Sequence, residues 1–406
     1  MSLKKKIVFS LIVLAVLFVA AEFILRFVAG FLGVGTDAKL KMEPYQGKSW
    51  LAQYAKDGVD CRDQTMANGH RGYARFLLWD MPLDCATPTL NYSWENDRTR
   101  KTWNPTVDSD TPKSAVKTIA MFGGSTLEGV GAIDDETIPS WVSRGLNATS
   151  TSNGTKYVVT NYGMSGYTYT QSVMKLVLKL REGKHFDYVI FYGGANDIDN
   201  SYDNGVPGAL FQENWTKTQL QGTDWERFKL WMSDRVQSCD TCKALAVIAR
   251  NTPFLKQYFS PILVNVRNIL LQKQGVKQAG GDLGEFAQGI ADYYADSHDL
   301  LDTLSKAYGF KYFEFWQPTL VLDTPTPGEV VIVGVDPHLT DPKSKSVFQL
   351  TRDAMLALKL NNFYDLTDAL KGRTSAYYLD AVHVSGDANK VIAERMLELT
   401  ERSLGK

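Results

Sequence analysis

Between residues 113 and 403 the apolar positions change their period several times. Short runs rich in apolar, β-branched and aromatic residues stand at "VKTIAMFGG", "YVVTNYGMSG", "FDYVIFYGGAND" and, much later, "FKYFEFWQP". Near-continuous runs of strand length predict strands buried on both faces, as in a parallel sheet. Helical spacing fills the gaps. Thr137 is placed to cap a helix with Pro139 just inside its first turn, and "IPSWVSRGL" follows with apolar residues at helical spacing. "YTQSVMKLVLKLRE" sets Val173, Leu176, Val177 and Leu180 along one face, and "ANKVIAERMLELTERSL" reads as a terminal helix. This alternation predicts an α/β fold whose crossovers are right-handed and whose sheet is covered on both faces.

Two stretches break the rhythm. Residues 30–112 are polar, aromatic and turn-rich without a repeating period, and read as a lead-in that wraps the main domain at 113–403. Residues 199 to about 300 read as an insertion carrying Trp215, Trp225 and Trp231. An insertion near strand ends can form a lid or a substrate platform, while its aromatic residues can equally be core.

Ahead of the lead-in, Lys4, Lys5 and Lys6 precede the apolar run "IVFSLIVLAVLFVAA", which continues through Glu22 and Arg26. Residues 1–6 are expected to stay in the cytoplasm and 7–29 to form a transmembrane signal anchor, which puts the rest outside. Glu22 and Arg26, four apart, can pair near the outer interface. Cleavage after the small residues near Ala21, giving a secreted protein, is the alternative.

The 406 residues carry 44 basic and 45 acidic side chains, and no basic run follows the N-terminus, which argues against nucleic acid as a partner. Cys61, Cys85, Cys239 and Cys242 make an even number in a chain read as exported, so two disulfides are possible, with three pairings open. "CDTC" lacks the strand-to-helix setting of a redox pair and a second ligand pair for zinc. Four N-x-S/T sequons carry no firm meaning in so polar a chain.

Three successive strands end in small-residue turns: "FGGS", "NYGMSG" and "GGAND". Ligand crevices in open α/β sheets lie beyond the carboxyl ends of strands. Ser125 there can supply a hydroxyl nucleophile. Its own N–H, the N–H of Gly166 and the amide of Asn196 can stabilise the negative charge that grows on a carbonyl oxygen during acyl transfer. A base is offered by "YYLDAVHVSGDAN", which holds the chain's only Asp-x-x-His: His383 can take the serine proton and Asp380 can orient its ring. His338 sits among prolines and acids, and His70, His185 and His298 lack such partners in sequence. Neither HExxH nor a phosphate loop is present.

These blocks, in this order over residues 113–403, resemble the SGNH or GDSL-type hydrolase family: "FGGST" with Ser125, "NYGMSG" with Gly166, "GGAND" with Asn196 and "DAVH" with Asp380 and His383. The resemblance implies a three-layer α/β/α flavodoxin-like fold with a parallel sheet, here preceded by the N-terminal helix. It implies a triad of Ser125, His383 and Asp380, an oxyanion hole of Ser125, Gly166 and Asn196, and no metal or organic cofactor. Gly124 departs from the Gly-Asp-Ser of many members, at a position outside the triad. The expected activity is hydrolysis of O-acyl esters, on glycans first and lipids second, by a membrane-tethered extracytoplasmic enzyme. An O-acyltransferase with the same triad and a catalytically silent glycan-binding module are the alternatives.

Overall fold

The computed structural model describes residue 48 and residues 72–81, 92–95, 97–149, 154–211, 213–227, 282–330 and 337–400. The chain divides into two compact units, Met1–Lys41 with Asn214–Lys273, and Met42–Glu213 with Gln274–Lys406. The expected anchor at 7–29, all four cysteines, and Trp231 lie outside the described residues. Among the described residues, no helix is long and apolar enough to cross a membrane.

The second unit holds a short hairpin and a larger sheet. Strands β1 (Gly72–Ala74) and β2 (Leu78–Asp80) pair antiparallel within the lead-in. The larger sheet consists of β3 (Val116–Gly123), β4 (Lys156–Asn161), β5 (Tyr188–Gly193), β6 (Lys311–Trp316) and β7 (Phe363–Asp365). All five are parallel, in the order β4-β3-β5-β6-β7. The first four are the runs expected from sequence; β7 is an addition. Its helices include α1 (Ser125–Glu128), α2 (Ile138–Thr149), α3 (Tyr169–Arg181), α4 (Ala195–Asn204), α5 (Leu283–Tyr308), α6 (Pro342–Leu358) and α7 (Gly386–Thr400).

Strand side chains alternate between two cores, which is why the runs look continuously apolar in sequence. Ile119 and Met121 of β3 pack with Ile138, Val142 and Leu146 of α2 and with Ile392 and Met396 of α7. Ala120 and Phe122, on the opposite face, join Val173 and Leu176 of α3, Ile290 and Tyr294 of α5, and Phe348 of α6. Thr137 does cap α2, its hydroxyl accepting the Ser140 N–H at 3.4 Å. Thr168 and Gln171 close a reciprocal capping box on α3. Residues 199 to about 300 begin within α4 and end within α5, with 228–281 outside the described residues.

The free edge of β4 is covered without another strand. Asn147 exchanges two hydrogen bonds with the backbone of Tyr157, Asn104 does the same with Val159, and the Arg100 N–H donates to Asn161 O at 3.1 Å. Side-chain amides thus occupy the edge groups that would otherwise pair with another chain. The lead-in also packs on the sheet's carboxyl end: Trp79, Tyr92 and Trp94 form a small core with Met164 and Tyr167.

Candidate active site

The connection leaving β3 turns back toward β4, while the one leaving β5 runs on to β6. The carboxyl ends of β3 and β5 therefore flank the switch point where such sheets open a crevice. Ser125 stands there as the first residue of α1 and is 8% exposed. Its approach needs glycine: a Cβ at Gly123 would lie 2.2 Å from the carbonyl oxygen of Tyr192 on β5. Gly129, at φ +91°, then ends the single helical turn.

Ser125 Oγ lies 2.7 Å from His383 Nε2, and His383 Nδ1 lies 2.8 Å and 2.9 Å from the two carboxylate oxygens of Asp380. The Asp-x-x-His spacing is the geometry of one tight loop. Leu379 N–H donates to His383 O at 2.8 Å, closing the loop. Asp380 Oδ1 accepts the N–H groups of Val382 at 3.0 Å and His383 at 2.8 Å, so the carboxylate shapes the loop and holds the ring together. Burial opposes ionisation of Asp380, yet the adjoining His383 and the backbone donors hold its carboxyl well below the usual range. An ionised carboxylate only accepts, which keeps a proton on Nδ1 and leaves Nε2 as the acceptor for Ser125.

The other two turns meet at Gly124. A Cβ on that residue would lie 2.4 Å from Asn196 Nδ2 and 3.3 Å from Tyr167 O. Asn196, the second residue of α4, donates one amide proton to Tyr167 O at 2.8 Å and retains a second. Gly166 takes φ +82°, a conformation that favours glycine. Among the described residues, neither the Ser125 N–H nor the Gly166 N–H has an acceptor. All five expected residues thus lie on the three turns and the one loop gathered at this end of the sheet.

The remaining histidines are elsewhere. His298 pairs with Glu314 inside the core under α5, and His338 lies 3.4 Å from Asp199 and 3.3 Å from the Ser344 hydroxyl. His185 sits beyond α3 at the far end of the sheet, and His70 lies outside the described residues. Among the described residues, no group of three or more His, Cys, Asp or Glu could hold a metal ion.

Sequence reasoning missed the residues that brace the loop of Asp380 and His383. Buried Glu329 accepts the N–H groups of Tyr377 at 2.8 Å and Tyr378 at 2.9 Å, and Arg373 donates to it at 2.6 Å while also pairing with Asp323. Leu320 N–H donates to Ala381 O at 2.9 Å. Burial works against the Glu329 charge, but Arg373 and these donors hold its carboxyl below the ordinary value. Asp197, next to Asn196, is different: burial pushes its carboxyl up to about 7, against the N–H donated by Tyr169 at 2.9 Å.

Residues 119–396 match the model of the GDSL-like lipase/acylhydrolase family. No curated protein sequence matches the chain. Among solved structures it is similar to the acetyl xylan esterase AlAXEase, at 13% identity over 70% of this chain and 98% of that one, with a TM-score of 0.33. It is similar to Est24, a carbohydrate acetylesterase from Sinorhizobium meliloti, at 12% identity over 70% and 99% of the two chains, with a TM-score of 0.33. The esterase EstA from Pseudoalteromonas sp. aligns at 11% identity over 71% and 100%, also with a TM-score of 0.33. With the family model covering more than half of the chain, including all three turns and the acid–base loop, this protein belongs to the GDSL-like lipase/acylhydrolase family and is a carboxylic ester hydrolase.

Proposed function

We propose that the protein hydrolyses O-acyl esters through an acyl-enzyme on Ser125, with His383 as base and Asp380 as its orienting partner. The observation that carries this reading is the unbroken chain from Ser125 Oγ through His383 to Asp380, at 2.7 Å and 2.8 Å. As Oγ attacks the ester carbonyl, its proton passes to Nε2 and Asp380 stabilises the imidazolium. The carbonyl oxygen gains charge at that moment, and the free N–H groups of Ser125 and Gly166, with the second Asn196 proton, receive it. His383 then protonates the departing alkoxide. A water, deprotonated by the same ring, releases the acid.

The ester is carried on an extracytoplasmic glycan, with the enzyme tethered by residues 7–29. What supports this is the run of Lys4, Lys5 and Lys6 ahead of the apolar segment, which would place the site outside the cytoplasm, where acylated glycans occur. Full-length protein in detergent is to be assayed on p-nitrophenyl acetate, acetylated oligosaccharides and a monoacyl lipid, with a serine-reactive phosphonate as covalent probe. Ser125→Ala should bring turnover to background and abolish labelling. Wild-type activity in folded Ser125→Ala would show that the nucleophile lies elsewhere. Acyl release from the lipid alone would reject the glycan assignment.

A further inference from the structure

The lead-in does more than cover the sheet edge. Glu128, which ends the helical turn begun by Ser125, is 1% exposed. One carboxylate oxygen accepts the N–H of Ser165 at 2.6 Å and its hydroxyl at 2.5 Å, and the other accepts the Tyr92 hydroxyl. Ser165 immediately precedes Gly166. The same turn is pressed against α1, since a Cβ at Gly163 would lie 2.4 Å from the Glu128 nitrogen. Behind Tyr92, the guanidinium of fully buried Arg100 stacks on its ring at 3.6 Å. Arg100 donates to Asp134 at 2.8 Å, to Glu128 O at 3.2 Å and to Ala132 O at 3.0 Å. Tyr92 and Arg100 both lie ahead of the family-matched span at 119–396.

We propose that Glu128 is a positioning residue that fixes Gly166 relative to Ser125, and that Tyr92 and Arg100 make the lead-in part of the catalytic unit. The inference rests on the reading above, in which the Gly166 N–H serves the oxyanion. A carboxylate suits the position because every group facing its oxygens is a donor, and charge-assisted bonds to N–H and O–H are the short, strong kind. An oxyanion donor works only when its N–H is held where the charge will develop, so freedom in this turn appears as a loss of rate rather than of binding. A misplacement near 1 Å can cost about 10²-fold.

The test is made on the full-length protein in detergent with p-nitrophenyl acetate and the phosphonate. Glu128→Ala should lower kcat by about 10²-fold, with KM within about twofold and phosphonate labelling slowed in parallel. Glu128→Gln should recover most of that loss, because its carbonyl oxygen can still accept from Ser165 and its amide can donate to the Tyr92 oxygen. Tyr92→Phe removes one hydroxyl and should lower kcat by roughly three- to tenfold, the worth of one hydrogen bond. If Glu128→Ala does not fold, Tyr92→Phe decides. Variants that melt earlier but keep wild-type kcat below their melting transition overturn the positioning role. A wild type that neither turns over nor labels defeats the reading of the site and this inference with it, whereas an active wild type with unaffected variants defeats this inference alone.

Discussion

Gly124→Ala should inactivate the enzyme without unfolding it. The backbone of Gly124, at φ −85° and ψ −158°, is open to alanine, so no backbone strain is introduced. The added methyl group would instead lie 2.4 Å from Asn196 Nδ2, well inside contact distance. Since that atom is the far end of a side chain, the amide swings away, and the Tyr167 carbonyl oxygen, 3.3 Å from the added carbon, needs to give by only a few tenths of an ångström. The cost in stability is the lost Asn196 to Tyr167 hydrogen bond, about 1 kcal/mol. Removing a glycine from the unfolded chain offsets part of it, by about 0.4–1 kcal/mol. The cost to the reaction is larger, because losing one oxyanion donor lowers kcat by about 10²–10³, or about 3–4 kcal/mol. Steady-state hydrolysis of p-nitrophenyl acetate beside a thermal melt separates the two. Asn196→Ala should match Gly124→Ala in kcat, and the double variant should lose nothing further, because both act on one amide. If Gly124→Ala keeps wild-type kcat while Asn196→Ala does not, or if the two losses multiply, the steric route from Gly124 to the oxyanion is refuted.

Asp380→Asn should lower kcat by about 10⁴: the amide oxygen can still accept the Val382 and His383 N–H groups, but its NH₂ faces Nδ1 and imposes the wrong tautomer. Near-normal turnover in that variant would remove Asp380 from the mechanism. Asp197→Asn should change the pH dependence of stability. Its folded carboxyl at about 7 lies above the ordinary unfolded value, so the native state holds the proton more tightly and stability falls as pH rises from about 4 to about 7. The contribution lost across that window is about 4 kcal/mol, and urea midpoints of wild type and variant should converge toward its acid end, with the wild type falling behind as pH rises; parallel profiles would show that Asp197 does not titrate there. Intact mass of unreduced protein should fall short of the reduced value by four hydrogens if Cys61, Cys85, Cys239 and Cys242 form two disulfides, and four alkylated thiols would exclude them.

What could be read from the sequence is what depends on neighbours along the chain. β3, β5 and β6 announce themselves because side chains of both faces enter a core, β4 through the alternation of its one buried face, and Asp380 with His383 because a carboxylate three residues ahead can bond both the backbone and the ring of one loop. β7 is three half-buried residues paired only to Glu314, Phe315 and Trp316, and β1 and β2 are as short, so neither offers a period to detect. The buried polar braces were invisible for another reason. Glu128 meets Tyr92 and Ser165 across 36 and 37 residues, and Arg373 meets Glu329 across 44, pairings that only the sheet topology creates. Gly124 shows where the two kinds of information part. In sequence it reads as an acid missing from Gly-Asp-Ser; in the fold the missing group that matters is the Cβ, whose absence leaves room for the Asn196 amide.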